Sequence, residues 1–143
     1  MTAESLFSVC NLLVLPGWLL LAVFPAWRWT QRLVPAFLTL LLSLCYLFLL
    51  LASLPQASGN FASLAGLGEM LRDPSLLLAG WIHYLAFDLF VGSWEVRDAR
   101  RLRIPHVAVI PSLILTFLLG PAGWLTYYLL RVVTRRELEV EEA

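Results

Sequence analysis

Three stretches of this chain, residues 5–27, 33–54 and 104–130, contain no Asp, Glu, Lys or Arg. A helix needs about 20 predominantly apolar residues to cross a bilayer, so each is long enough to do so. A fourth stretch of the same length, 75–96, is apolar apart from a few ionisable residues. The whole chain is 60% hydrophobic and 14% charged, with a mean hydropathy of +0.81. Soluble domains are nearer 45–50% apolar and about 25% charged. An excess of that size cannot be buried in a core of 143 residues, and no room is left for a separate soluble domain.

The pattern defines an all-α membrane protein, a single transmembrane domain over 1–143 built as a four-helix bundle. The expected spans are 5–27, 33–54, 75–96 and 105–131. Pro16-Gly17 and the Gly120-Pro121-Ala122-Gly123 run predict kinks in the first and fourth helices. The connection 55–73 places Phe61, Leu64, Leu67 and Leu71 at helical spacing. That predicts a short interfacial helix between spans two and three, with a substrate-covering lid as the sharper reading. Asp73-Pro74-Ser75 reads as the start of the third span.

Formal net charge is zero, from ten Arg and ten acidic residues with no Lys. Arg sits in loops and tail, which sets membrane orientation and gives no support to nucleic-acid binding. Arg28 and Arg32 lie among Trp residues at the end of the first run, an interfacial signature. With Arg97, Arg100, Arg101 and Arg103 they favour a cytoplasmic side reached after spans one and three, and both termini outside. Arg131, Arg135 and Arg136 oppose that assignment, and the final EVEEA reads as a frayed, solvated tail. The N-terminus lacks the basic region of a signal peptide, so the first run reads as a retained helix. Cys10 and Cys45 fall in apolar runs and read as free thiols behaving as small hydrophobes.

Residues 81–103 concentrate the ionisable groups: His83, Asp88, Glu95, Arg97 and Asp98. Inside a membrane such residues are costly and mark a site by default. Asp88 and Glu95 are seven apart, which puts them on nearly one helix face about 10 Å apart along the axis. Tyr84 stands one turn before Asp88, and Phe87, Phe90 and Trp94 fill the neighbouring face. His106 belongs to the cytoplasmic end, roughly 15 Å from the depth of His83, so the two are not expected to share a haem or metal. There is no metal-ligand spacing, phosphate loop or nucleophile elbow, and no metal or cofactor is expected. What remains is proton chemistry, because a carboxyl in low dielectric can donate and a neutral His can accept. The plainer reading is that Asp88, Glu95 and Arg97 pair with other helices and pin the bundle. Asn11 wants an interhelical hydrogen bond, and His106 reads, with Arg97 and Asp98, as structural or interfacial.

HYLAFDLFVGSWEVRDARR, followed by IPH and then LTFLLGPAG, with PGW near the N-terminus, resembles bacterial members of the abscisic-acid-deficient-four-like family. The resemblance covers nearly the whole chain. It implies a small multi-pass membrane protein, in the inner membrane if the source is bacterial. Plant relatives are linked to neoxanthin formation, the isomerisation of an epoxy-carotenoid to an allenic xanthophyll. That reaction is redox-neutral and needs an acid at the epoxide oxygen and a base at a nearby C–H, with no cofactor. The resemblance thus implies a carotenoid or other lipid-soluble isoprenoid substrate, reached from within the bilayer. On that reading Asp88 is the acid, His83 the base and Glu95 the alternative acid, with Asn11, Trp18, Tyr84, Phe87 and Trp94 lining the substrate. The alternative is a non-catalytic scaffold or lipid-binding subunit of a carotenoid enzyme complex, or a homo-oligomer. A proton- or solute-conducting subunit is a third class, for which the polar lining is too sparse.

Overall fold

The computed structural model describes residues 2–135, and every regular element among them is helical. Helix α1 is Ala3–Val23 and α2 is the continuous run Thr30–Gln56. A short helix, α3, follows at Leu64–Met70, then the long α4 at Pro74–Arg101. The described residues finish with α5, His106–Leu119, and α6, Pro121–Arg135. Helices α1, α2 and α4 are long and apolar enough to cross a bilayer, whereas α5 is a shorter apolar helix. Leu12, Leu19, Phe48, Leu51 and Val107 are all exposed, an outer surface that suits lipid.

Local chemistry sets the ends and irregularities. Thr2 caps α1 by accepting from the Ser5 backbone. Asp73 caps α4 through Ser75 and Leu76, with Pro74 in the first position, where a missing N–H costs nothing. Pro35 lies in a π turn at Val34–Leu38, where the Thr39 N–H reaches back to Val34. The expected break at Pro16-Gly17 is absent as a break: α1 runs through it as one helix. Gly17 instead packs against Leu89 and Leu38, where even a Cβ would come within 2.9 Å of a Leu38 methyl. The connection after α2 contains a helix of Leu64–Met70, shorter than the expected 60–71, capped by Ser63.

Helix α4 is the axis of the molecule. Half of its apolar window is buried, against 11% for α2, which is therefore peripheral. Ile82, Leu85, Ala86, Leu89 and Val96 on α4 join Cys10, Val14 and Leu21 of α1 and Leu38 and Leu42 of α2 in one core.

The largest departure from expectation is the C-terminal region. A single kinked span over 105–131 would carry Tyr127 about 16 Å beyond Thr116 along one axis. Yet Thr116 bonds Glu95 and Tyr127 bonds Asp98, two α4 residues less than one turn apart. The chain therefore folds back at Gly120, and α5 and α6 form an antiparallel hairpin. Gly120 makes the turn at φ 51° and ψ −102°, a conformation that suits glycine. Gly123 lies against the Thr116 backbone so closely that a Cβ would overlap it. With 14 residues, α5 is about 21 Å long, short of the roughly 30 Å of hydrocarbon. The hairpin enters from the end that carries Arg100 and Arg103 and returns to it.

Two outcomes test this. In a chain with Cys10 and Cys45 replaced by Ala, Thr134→Cys and Arg103→Cys should label from the same side with an impermeant maleimide, and Ser58→Cys from the other. Labelling of Thr134→Cys with Ser58→Cys would restore a fourth full span. Gly123→Val should cost several kcal/mol, read as loss of folded yield and melting temperature, because the arms must separate to admit the side chain.

Candidate functional site

Asp88, Glu95 and Asp98 are all buried, with Glu95 fully so. They form a carboxyl seam along α4, and the hairpin is what covers it. Helix α5 turns Val109, Ser112, Leu113 and Thr116 inward, a stripe at helical spacing. Helix α6 turns Gly123, Tyr127 and Arg131 inward at intervals of four. Arg131 and Tyr127 are entirely buried.

The lower part of the seam is densely bonded. Tyr127 donates its hydroxyl to Asp98 Oδ2 at 2.7 Å. Arg101 donates Nη2 to Asp98 Oδ1 at 3.0 Å, and Arg131 Nε lies 3.6 Å from Oδ2. Trp94 packs edge-on to the Tyr127 ring at 5.5 Å. One turn higher, Thr116 donates to Glu95 Oε1 at 2.8 Å. Glu95 Oε2 has no hydrogen-bond partner among the described residues.

The upper end is different. Asp88 sits beneath the hairpin's apex, where a Cβ on Gly120 would come within 2.7 Å of Asp88 Oδ1 and 3.3 Å of the Tyr84 ring. Tyr84, one turn earlier, interacts with the Asp88 carboxyl and stacks on Trp81 at 5.4 Å. Asp88 Oδ2 is buried without a hydrogen-bond partner among the described residues. Counting along α4, Asp88 is about 13 Å from Arg97 and about 21 Å from Pro74, near the middle of the hydrocarbon. Glu95 stands two turns further along the same face of α4, and the two carboxyls feel one another electrostatically. Trp18 of α1 reaches both α4 and α5, its ring on Gly92 and 5.5 Å from Phe117.

Of the expected site residues, the structure brings together Asp88, Glu95, Tyr84 and Trp18, with Trp94 and Asp98 at the lower end. It keeps His83 apart. His83 lies on the exposed outer face, stacked on the exposed Phe87 at 4.6 Å and edge-on to Tyr46 at 5.4 Å. Its 140° offset from Asp88 on one helix is not bridged by any neighbouring helix. Asn11 accepts from Trp81 Nε1 at 3.2 Å, which ties α1 to α4 outside the seam. Arg97 bonds the Ser93 hydroxyl at 3.2 Å. His106 Nε2 is 2.9 Å from the Ala22 carbonyl at the end of α1, a terminal group that needs a donor. Cys10 and Cys45 are free thiols. Among the described residues, no three His, Cys, Asp or Glu gather in a metal-binding group.

Thr116, Tyr127 and Arg131 belong to the network and do not stand out in the sequence. Arg131 ends an uncharged run, the position of an ordinary interfacial Arg. Its spacing of four from Tyr127 was the available signal, and it has meaning only once the run is seen to turn back.

An all-helical chain with several spanning-length apolar helices and a buried carboxyl seam fits an integral membrane protein. A family model extends this to a lineage: it matches residues 5–127, and the chain belongs to the ABA DEFICIENT 4-like family. Neither a curated protein nor a solved structure matches it.

The lower network gives a stability prediction. Asp98→Ala removes the buried carboxylate that Tyr127, Arg101 and Arg131 face and should cost about 3–5 kcal/mol, whereas Tyr127→Phe should cost about 1–3 kcal/mol by unpairing one buried acceptor. Thermal melts in detergent should rank them in that order, and equal melts would remove Asp98 from the structural role.

Proposed function

We propose that this protein is a multi-pass, bilayer-embedded isomerase of a carotenoid or related isoprenoid lipid, with Asp88 as its acid. The observation that supports this most directly is the Asp88 carboxyl near mid-bilayer, with a buried oxygen that has no hydrogen-bond partner among the described residues. A carboxyl there costs least as the neutral acid, and a neutral acid is a proton donor. Family membership supports the substrate class, because the resemblance implies xanthophyll chemistry.

The step is balanced without any added oxidant or reductant. Asp88 gives its proton to the epoxide oxygen as the C–O bond breaks. Glu95, as carboxylate, takes the proton from the neighbouring carbon, and that C–H pair becomes the new C=C bond. The product is an alcohol with the substrate's own atoms. Return of a proton from Glu95 to Asp88 resets the site. Glu95 replaces His83 as base, since His83 faces away from the Asp88 carboxyl. Tyr84 orients Asp88, while Trp18 and Phe117 exclude water. The substrate enters from the lipid, past Trp81 and Tyr84.

Purified protein carrying Asp88→Asn should fold and lose conversion by about 10²–10⁴-fold, while His83→Gln should retain most of it. The comparison is made on the pigment and lipid profile of a host with and without the gene. If Asp88→Asn leaves the profile unchanged at normal expression, the acid assignment fails and a scaffold or lipid-binding role replaces it.

A further inference from the structure

The charges of this molecule are sharply divided between its two ends. Among the described residues, Arg72 alone marks the end near the start of α4, and it is paired with Glu69 at 2.9 Å. The opposite end carries Arg28, Arg32, Arg97, Arg100, Arg101, Arg103 and Arg131. Asp98 is the carboxylate at that level, and it is buried and engaged by Arg101 and Tyr127.

Within that end, three Arg converge on the loop between α1 and α2. The guanidinium of Arg28 lies 5.2 Å from the centre of the Trp29 ring, and that of Arg32 lies 5.9 Å from the same ring. Arg100, from the last turn of α4, donates Nη1 to the Pro25 carbonyl at 3.3 Å. Arg28, Arg32 and Arg100 are all exposed, as are Trp27 and Trp29. The loop that holds them is itself fixed. Thr30 bonds the Phe24 carbonyl at 2.8 Å and Gln31 bonds the Pro25 carbonyl at 3.1 Å, while His106 secures Ala22.

Gathering two like charges around one indole is unfavourable in itself. The ring quadrupole offsets part of the repulsion, and a shared anion would reverse it. The place of the cluster identifies the anion. It lies where α1 ends, α2 begins and α4 terminates, the level at which spans leave the hydrocarbon. Exposed Trp residues settle at that level, among the headgroups. The guanidinium fork matches a phosphate with paired N–H donors, a match an ammonium lacks.

We propose that Arg28 and Arg32, on the platform of Trp29, together with Arg100 at the Pro25 carbonyl, form a binding site for the phosphate of an anionic phospholipid. Juxtamembrane Arg clusters of this kind are drawn to negatively charged leaflets, at about fivefold in affinity for each Arg. The site is independent of the carboxyl seam. It anchors the end of the bundle into which the hairpin is inserted, on the loop that His106 ties to the hairpin's first turn.

The test uses the full chain in nanodiscs of equal phosphatidylcholine and phosphatidylglycerol, released into mild detergent and examined by native mass spectrometry. The wild type should retain phosphatidylglycerol over phosphatidylcholine by tenfold or more, and millimolar inorganic phosphate should leave that preference unchanged. Combined Arg28→Gln, Arg32→Gln and Arg100→Gln should abolish it, while Arg72→Gln at the far end should not. Should the triple variant fail to fold, Arg28→Gln with Arg32→Gln suffices, since neither guanidinium makes a hydrogen bond or ion pair among the described residues; it should cut the preference at least fivefold. Equal retention of the two lipids, or a preference untouched by the Gln variants, overturns the proposal. Displacement by inorganic phosphate overturns it in favour of a free-anion site. A preference that emerges only after removal of residues 137–143 overturns it in favour of the chain's own acidic end.

Discussion

Leaving a carboxylate in hydrocarbon costs about 2.5–3.5 kcal/mol on insertion scales, and more when nothing polar can reach it. Helix α4 carries three carboxyls in its second half, so the rest of the chain must supply a cover for them. Helices α1 and α2 cannot, because their inward positions are Cys10, Val14, Leu21, Leu38 and Leu42. The hairpin can. Its arms bring Thr116, Tyr127 and Arg131 onto the face of α4 where Glu95 and Asp98 stand. A full fourth span would place only one of those three groups within reach. The turn at Gly120 is thus the condition for burying the seam, and the close contact of Gly123 with Thr116 is the condition for the turn.

Folding back also resolves an inconsistency in the charges. With a full fourth span, Arg131 and Arg135 would lie opposite the Arg-rich turn after α4. With the hairpin, α6 returns them to the side of Arg28, Arg32, Arg100 and Arg103, and among the described residues Arg72 is the one Arg left across the membrane. An uneven distribution of Arg between the two sides is the usual determinant of orientation. The folded-back topology makes the bias strong where the linear reading left it slight.

Much of this was legible in the sequence, and the exceptions have physical causes. Apolar runs found the helices because burial in lipid needs length and lack of charge, both local properties. The Asp73-Pro74 cap was legible because capping is local too. The Gly120-Pro121 break was visible, but its angle was not: a glycine permits a turn without dictating it, and the turn is fixed by what Gly123 and Tyr127 meet across the gap. Pro16-Gly17 shows the converse. The same pair of residue types is absorbed in a continuous helix, because Gly17 is required for contact with Leu89 and Leu38. Asp88 and Glu95 were legible as one face from their spacing. His83, five residues before Asp88, stands about 140° from it around the helix axis, and the packing of α4 turns it to the exposed outer face.

The seam itself divides into two parts with different chemistry. At Asp98 both carboxyl oxygens are engaged, by Tyr127, Arg101 and the nearby Arg131, which is how a buried ion pair is held when its role is to lock helices together. Glu95 and Asp88 each keep one buried oxygen without a partner among the described residues, while Thr116 and Tyr84 engage the two carboxyls. The seam is therefore fully bonded at the Arg-rich end and half bonded above it, where an unmet hydrogen bond is most expensive. Pinning the bundle accounts for the Asp98 end, and the two open oxygens above it are where the seam can still take a hydrogen bond.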